Sequence, residues 1–339
     1  MEVQREINNP SFCLLHLPFV AMKHVLQCMD STDLLRTAFV SKRMGRYTKL
    51  ANARIDLIEI EFTNNRSTIN LIDFGCLVES YKKKDIMHVL PKKTEEILKM
   101  FQHYQKLIYK PKTISTNVLN KIMDSANIHR FLNIAAEIPK DFNHKNKFKF
   151  DQVQYQDATW VKLEDILSME NVGRVQFNRN NFTQNQINTL LKHWVASDID
   201  MFYRIILDLN DGIEITEVLE ELLTVQCRSG AMTSYFTLAK TTANTRERPI
   251  LVICRHGRFM ILTGWRSDKL LMKGPDDIYD KTYIILKFLK RKEEIKAELE
   301  RNDLELATRR RLGEEEKKLV AEIEEMNVVF ENGQAVVSI

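Results

Sequence analysis

Two short stretches of this 339-residue sequence have residue types and spacings that could do chemistry. Cys254 and His256 alternate on an extended pattern beside a turn, so both side chains leave one face, where an imidazole could take a thiol proton. A cysteine nucleophile also needs a third group to orient the imidazole, and no residue is spaced to supply it, so the pair is expected to be structural. Cys227-Arg228-Ser229-Gly230 could open an anion-cradling cysteine loop but lacks the arginine further on that such a loop uses. The chain contains no G-x-x-x-x-G-K-[ST], G-x-G-x-x-G, G-x-S-x-G or H-E-x-x-H pattern, and its 10 glycines are few for phosphate-binding loops. No catalytic residue, cofactor or metal is assigned, and the chain is not expected to be an enzyme.

Basic charge is the other feature with chemical reach. Lys82-Lys83-Lys84, Lys92-Lys93 and His144 to Phe150 (HKNKFKF) place cations near aromatics, as a binder of single-stranded nucleic acid would. The formal net charge of +4 is too small over this length to imply such a ligand. A solvated loop and a strand with outward lysines is the favoured reading. Nucleic-acid binding, or a scaffold built on the C-terminal helix, stays as the alternative.

Composition then bounds what must position these residues. An apolar content of 44% with 28% charged residues is that of a globular chain, long enough for about two domains. The five cysteines are odd in number and never spaced as C-x-x-C, which signals neither a disulfide framework nor a zinc site. Ser11 to Met22 is apolar enough for a signal core, but His16 and Pro18 interrupt it and no cleavage site follows. No apolar run reaches the ~18 residues of a membrane span. A cytoplasmic or nuclear location with no membrane partner is expected.

The N-terminal stretch Phe12 to Arg43 is the most structured in pattern. Pro18 suits the first turn of a helix and pushes Leu17 towards an extended conformation. Val25, Leu26 and Met29 follow on one face. Asp30 to Asp33 supplies cap chemistry for a second helix carrying Leu34, Leu35, Ala38 and Phe39. Val40-Ser41-Lys42-Arg43 then leads into a third, basic helix. A unit of about 40 residues is too small to be stable without a neighbour.

In this order Leu17-Pro18, Val25-Leu26, Met29-Asp30, Asp33-Leu34-Leu35 and Val40-Ser41-Lys42-Arg43 resemble the F-box motif over roughly residues 12 to 50. Met44 and Gly45 stand where many F-boxes have a tryptophan. The resemblance implies binding to a Skp-type adaptor and, through it, a cullin ubiquitin ligase. It implies Leu17, Pro18, Val25, Leu26, Met29, Leu34, Leu35 and Val40 as an apolar contact set, with Lys42 and Arg43 at a basic rim.

Further along, Arg54 to Phe62 and Ser67 to Phe74 alternate apolar and polar around Asn64-Asn65 and predict a β-hairpin. Thr94 to Leu107 predicts a helix. Val172, Val175, Phe177, Asn180 and Phe182 fit the leucine-rich-repeat pattern, and Phe202, Ile205, Leu207 and Asn210 repeat it 30 residues on. Helices are expected over Ala158 to Leu167, from a Thr183/Gln186 capping box through Trp194, and over Ile215 to Leu223. Ile250 to Cys254 and Phe259 to Thr263 predict a second hairpin turning at Gly257. Trp160 with LEDILSM, the TQNQINTLLKHW helix and the RHGRFMIL strand resemble the F-box-associated domain of a large nematode group, over roughly residues 145 to 265. That resemblance implies a recognition domain for an unknown protein substrate.

Beyond Lys281 the chain is highly charged, with Ile295, Leu299 and Leu306 at helical spacing, and reads as one long helix or a hairpin broken near Gly313. The expected class is α/β, α+β overall: an F-box at 11–50, a leucine-rich-repeat-like α/β recognition domain at 51–280, and a charged helical segment at 281–330.

Overall fold

The computed structural model describes residues 14–51, 57–63, 66–72, 84–89, 105–210, 212–229, 232–240, 246–266, 278–301, 303–331 and 334–338. The chain divides into two compact units, Met1–Ala136 and Glu137–Ile339. Pairing between secondary elements builds both units.

The first unit opens with a single 3-10 turn, Leu14–His16, and three helices: α1 (Phe19–Cys28), α2 (Ser31–Val40) and α3 (Lys42–Ala51). Strands β1 (Leu57–Thr63), β2 (Arg66–Ile72), β3 (Lys84–Val89) and β4 (Lys106–Tyr109), helix α4 (Thr116–Ser125) and strand β5 (Phe131–Ile134) complete it. The strand order is β5-β4-β1-β2-β3. β1 and β2 form the expected antiparallel hairpin, with Ile58 opposite Leu71; its turn residues, Asn64 and Asn65, lie outside the described residues. α2 runs beside β2 and β3, so the small helical unit does gain a neighbour. Lys106 and Leu107, the last residues of the helix expected from Thr94, instead enter β4, parallel to both β1 and β5. The rest of that helix lies outside the described residues.

The second unit begins with three parallel strands joined by helices: β6 (Gln152–Tyr155), α5 (Leu163–Leu167), β7 (Val172–Phe177), α6 (Gln184–Ala196) and β8 (Phe202–Asp208). Thr183 and Gln186 close the expected capping box at the start of α6, each side chain bonding the other's backbone N–H. A short α7 (Ile215–Val218) follows. The helix expected to reach Leu223 ends there, in a turn where Leu222 N–H bonds the Leu219 carbonyl and Glu221 takes a positive φ.

Antiparallel strands come next: β9 (Val225–Ser229), β10 (Met232–Leu238), β11 (Ile250–His256) and β12 (Phe259–Trp265). The β11–β12 turn places Gly257 at φ +57°, a conformation that glycine adopts without cost. Helices α8 (Ile278–Leu299) and α9 (Leu306–Glu325) and strands β13 (Val329–Glu331) and β14 (Gln334–Ser338) end the chain. The strand order is β13-β14-β9-β10-β11-β12-β8-β7-β6.

The C-terminal segment belongs to this sheet because β14 pairs in parallel with β9. Ile285, Leu286 and Leu289 of α8 and Ile323 of α9 join Val225, Phe236 and Val252 in one buried cluster. The break between α8 and α9 falls at about Glu300 to Glu305, whereas Gly313 sits inside α9. A lone glycine in a helix costs only about 1 kcal/mol, less than the packing of Ile295, Leu312 and Leu319 between the two helices contributes. Leu306, expected in the apolar stripe, starts α9 on the surface.

A single cross-strand row summarises this sheet. It runs Gln152, Arg174, Arg204, Thr263, Val252, Phe236, Val225, Ala335. Its apolar end lies under α8 and α9, and its polar end is formed by the parallel strands. The opposite face of those parallel strands, with Val153, Val175, Phe177 and Ile205, is fully buried.

Candidate partner-binding face of the N-terminal helices

The local sequence builds each of the three helices. Pro18 caps α1 with φ −55° and ψ 146°, the extended geometry that lets the next residue start a helix. Asp30 caps α2 by accepting the Asp33 N–H at 2.8 Å. At the start of α3 the Ser41 hydroxyl accepts the Met44 N–H at 3.1 Å. Gln27 ties α1 to the end of α3 by donating to the Ala51 carbonyl at 2.9 Å. Met22, Leu26, Leu34, Ala38, Met44 and Ala51 form the buried set of these helices.

Met44 and Gly45 explain how the unit closes without a tryptophan. Met44 fills the buried position, and a Cβ on Gly45 would stand 3.2 Å from the Ala38 carbonyl oxygen. The missing side chain is what lets α3 approach α2.

The ten residues expected to meet a partner separate by depth. Leu26 and Leu34 are 0% and 1% exposed, so in this structure they are core and present nothing to a partner. Leu17, Val25 and Met29 are half-buried, with the Met29 sulfur accepting from the Thr37 hydroxyl at 3.9 Å. Pro18, Val40, Lys42 and Arg43 are exposed. The side chain of Leu35 lies outside the described residues.

Three apolar residues that the motif did not single out share that exposure. Val20 is 67% exposed, Val40 76%, Leu50 59% and Phe19 42%. Among the described residues, these are four of the eleven large apolar side chains on the surface, concentrated on three short helices. Val20 precedes buried Met22 by two positions and Val40 follows buried Ala38 by two, which is about 200° around a helix. Phe19 packs against Tyr47 of α3 at 5.8 Å between ring centroids, and Arg43 donates from Nε to the Tyr47 hydroxyl at 3.1 Å. Exposed apolar side chains of this size, with the exposed cations Lys42 and Arg43 on the same helices, have the composition of a contact surface, since large apolar groups left in water cost about 25 cal/mol per Å² until covered.

Family comparison bears on this surface directly. A model described as F-box domain matches residues 14–50, and one described as F-box associated matches residues 141–200. The chain thus carries an F-box domain and an F-box-associated domain. Neither a curated protein nor a solved structure matches it. The helical F-box match covers α1 to α3. The F-box-associated match covers β6 to α6 with the aromatic cluster of Phe142, Phe148, Tyr155, Trp160 and Phe177. Together the two domains suggest a substrate-adaptor role in ubiquitin ligases of the F-box type.

Other residues singled out by chemistry occupy ordinary places. The Cys254 thiol is pushed up by burial and lies 3.1 Å from the Ser234 hydroxyl, the opposite of an activated thiolate. Phe148 and Phe150 of the HKNKFKF stretch are buried, so they offer no ring for stacking bases. Lys147 is held by Asp165 at 2.6 Å. Lys82, Lys83, Lys92 and Lys93, with the side chain of Lys84, lie outside the described residues. Among the described residues, no helix is long and apolar enough to cross a membrane.

Proposed function

We propose that this chain is the substrate-recognition adaptor of a Skp/cullin/F-box-type ubiquitin ligase and performs no bond chemistry itself. The N-terminal helices dock a Skp-type adaptor, which joins the chain to a cullin. The second unit holds a protein target, and tethering raises the target's effective concentration near the ubiquitin carrier. The observation that carries this reading is the F-box match over residues 14–50 together with the exposed apolar set of Phe19, Val20, Val40 and Leu50. The contact set is accordingly Leu17, Pro18, Phe19, Val20 and Val40 with Lys42 and Arg43 at its edge, while Leu26 and Leu34 support it from within.

The target-holding sheet has the character of a short leucine-rich repeat array. Its support is the shared burial alternation of β7 and β8 and a buried asparagine that bridges them. Asn180 donates from Nδ2 to the carbonyls of Phe177, at 3.1 Å, and Asp208, at 2.8 Å, and accepts the Phe182 N–H at 3.1 Å. The array stops at β8, whose far edge is taken by antiparallel β12. Asn210 is accordingly exposed, with one 3.5 Å bond to the Phe182 carbonyl.

The test is co-purification of the full chain with a Skp-type adaptor, beside a Val20→Asp, Val40→Asp variant. Both valines are exposed, so folding is expected to change by less than about 0.5 kcal/mol each. Adaptor retention is expected to fall at least about tenfold, since buried charge at an apolar contact is heavily penalised. Full retention by a variant with native circular dichroism overturns the reading.

A further inference from the structure

Parallel strands β7 and β8 set Arg174 directly beside Arg204. Like charges in that position repel, and a sheet normally relieves them with a neighbouring acid. Here the third neighbour is another cation. The guanidinium carbons of Arg174, Arg204 and Arg248 lie 5.8, 5.6 and 5.7 Å from the centroid of one ring, that of Tyr203. Arg204 also donates from Nε to the Thr263 hydroxyl at 3.2 Å.

Three acids close in the chain to Arg204 and Arg248 are committed elsewhere. Asp200 accepts the backbone N–H groups of Glu247 and Arg248 and faces the buried Arg246. Glu247 pairs with Arg266, and Asp208 with Arg258. Among the described residues, no carboxylate forms an ion pair with any of the three arginines. All three, with Tyr203, are half-buried. They stand at the polar end of the cross-strand row, on the face that α8 covers at β9 and β10. On the parallel strands that face stays half-exposed, with Gln154, Gln176 and Ile206 forming the adjoining row.

We propose that this face docks an acidic, extended segment of a protein. A segment crossing the strands meets Arg174 and Arg204 in succession, one carboxylate to each guanidinium fork, with an apolar side chain resting on Ile206. Tyr203 holds the guanidiniums in place beforehand, which reduces the ordering cost of binding. A nucleic acid fits less well. The only aromatic ring of the cluster is already surrounded by guanidiniums, and the adjoining row is glutamine and isoleucine rather than further cations. The proposal rests on the adaptor reading only in making the bound protein a ligase target.

The probe is a fluorescent peptide of about ten residues with glutamate and valine at every second position and serine between them, so that both side chains leave one face, read by anisotropy with the full chain. Comparison probes are the glutamine-for-glutamate peptide, a phosphoserine-for-glutamate peptide and single-stranded DNA of equal length. The acidic peptide is expected to bind, to weaken with salt, and to lose about tenfold or more in affinity in Arg174→Gln, Arg204→Gln. Arg174→Gln, Arg248→Gln is expected to act alike while sparing the Thr263 bond, which guards against a folding defect in the first variant. Unchanged binding in both variants, no binding of the acidic peptide, or tighter binding of the phosphoserine peptide or the DNA overturns the proposal. Adaptor retention is measured on the same variants and is expected to stay intact, so failure here and failure of the adaptor reading give different results.

Discussion

The F-box helices and the sheet of the second unit dispose of apolar side chains in opposite ways. Among the described residues, the helices leave Val20, Val40 and Leu50 in water and bury six apolar residues, Met22 to Ala51. The sheet buries Tyr155, Phe177, Phe202, Phe236 and Trp194 almost completely and leaves arginine and glutamine on its half-exposed face. On the proposed reading, the contrast teaches that the two surfaces bind through different physics. An apolar face suits one constant partner, whose contact area can be large and dry. A guanidinium face supplies charge complementarity, which selects among ligands more than it adds affinity.

The sharpest way to break this comparison is to attack the sheet's core. Phe177 is fully buried and meets Phe148, Tyr155 and Phe182. Phe177→Ala is expected to destabilise the second unit by about 3–5 kcal/mol, measured by urea unfolding. Adaptor retention below the unfolding midpoint is expected to persist, because the apolar contact set lies in the first unit. A joint loss of both would mean that the two surfaces do not depend on separate cores.

A smaller effect sharpens the contrast within the sheet. Asn180→Ala removes one side chain that satisfies two carbonyls and one N–H at a buried position. Leaving buried polar groups unpaired costs about 1–3 kcal/mol, so a loss in that range is expected. Asn210→Ala, just past β8 and exposed, is expected to change stability by less than about 0.5 kcal/mol. Equal losses would mean that the two asparagines are alike, against the difference in their burial.

How much of this was legible beforehand follows the range of each interaction. The Thr183/Gln186 box, the β1–β2 and β11–β12 hairpins and Asn180 are written in residues close in sequence, and alternation or spacing exposes them. The F-box landmarks were readable for the same reason, but their depth was not. Leu26 and Leu34 differ from Val20 and Val40 only by which side of a helix meets a neighbour. The arginine cluster was invisible because Arg174, Arg204 and Arg248 come from three backbone segments. Gly313 misled because an exposed helix tolerates a glycine when buried partners such as Leu312 and Leu319 hold it. Arg246 was equally silent. It lies against the Trp194 ring at 3.8 Å and donates to the Trp194 and Ser197 carbonyls at the end of α6, and burial pulls its guanidinium down to about 10.

The smallest expected effect tests whether surface charge also sets the second unit's stability. Arg291 of α8 donates from Nε to Glu315 of α9 at 2.8 Å and also reaches Glu298 at 3.3 Å. The hydrogen bond from Arg291 holds the Glu315 carboxyl below its ordinary value of 4.5. A carboxyl lowered on folding stabilises the folded chain fully above its unfolded value, and that contribution is lost as pH falls through the lower folded value. Thermal unfolding of the native chain and of Glu315→Gln is therefore expected to differ slightly at about pH 7 and to converge as the solution is acidified below about pH 4. Added salt is expected to narrow the difference, because both partners are more than a third exposed. A difference that persists unchanged on acidification would mean that Glu315 acts by packing rather than by its charge, and the α8–α9 pair would then be held chiefly by the apolar cluster of Ile295, Leu312 and Leu319.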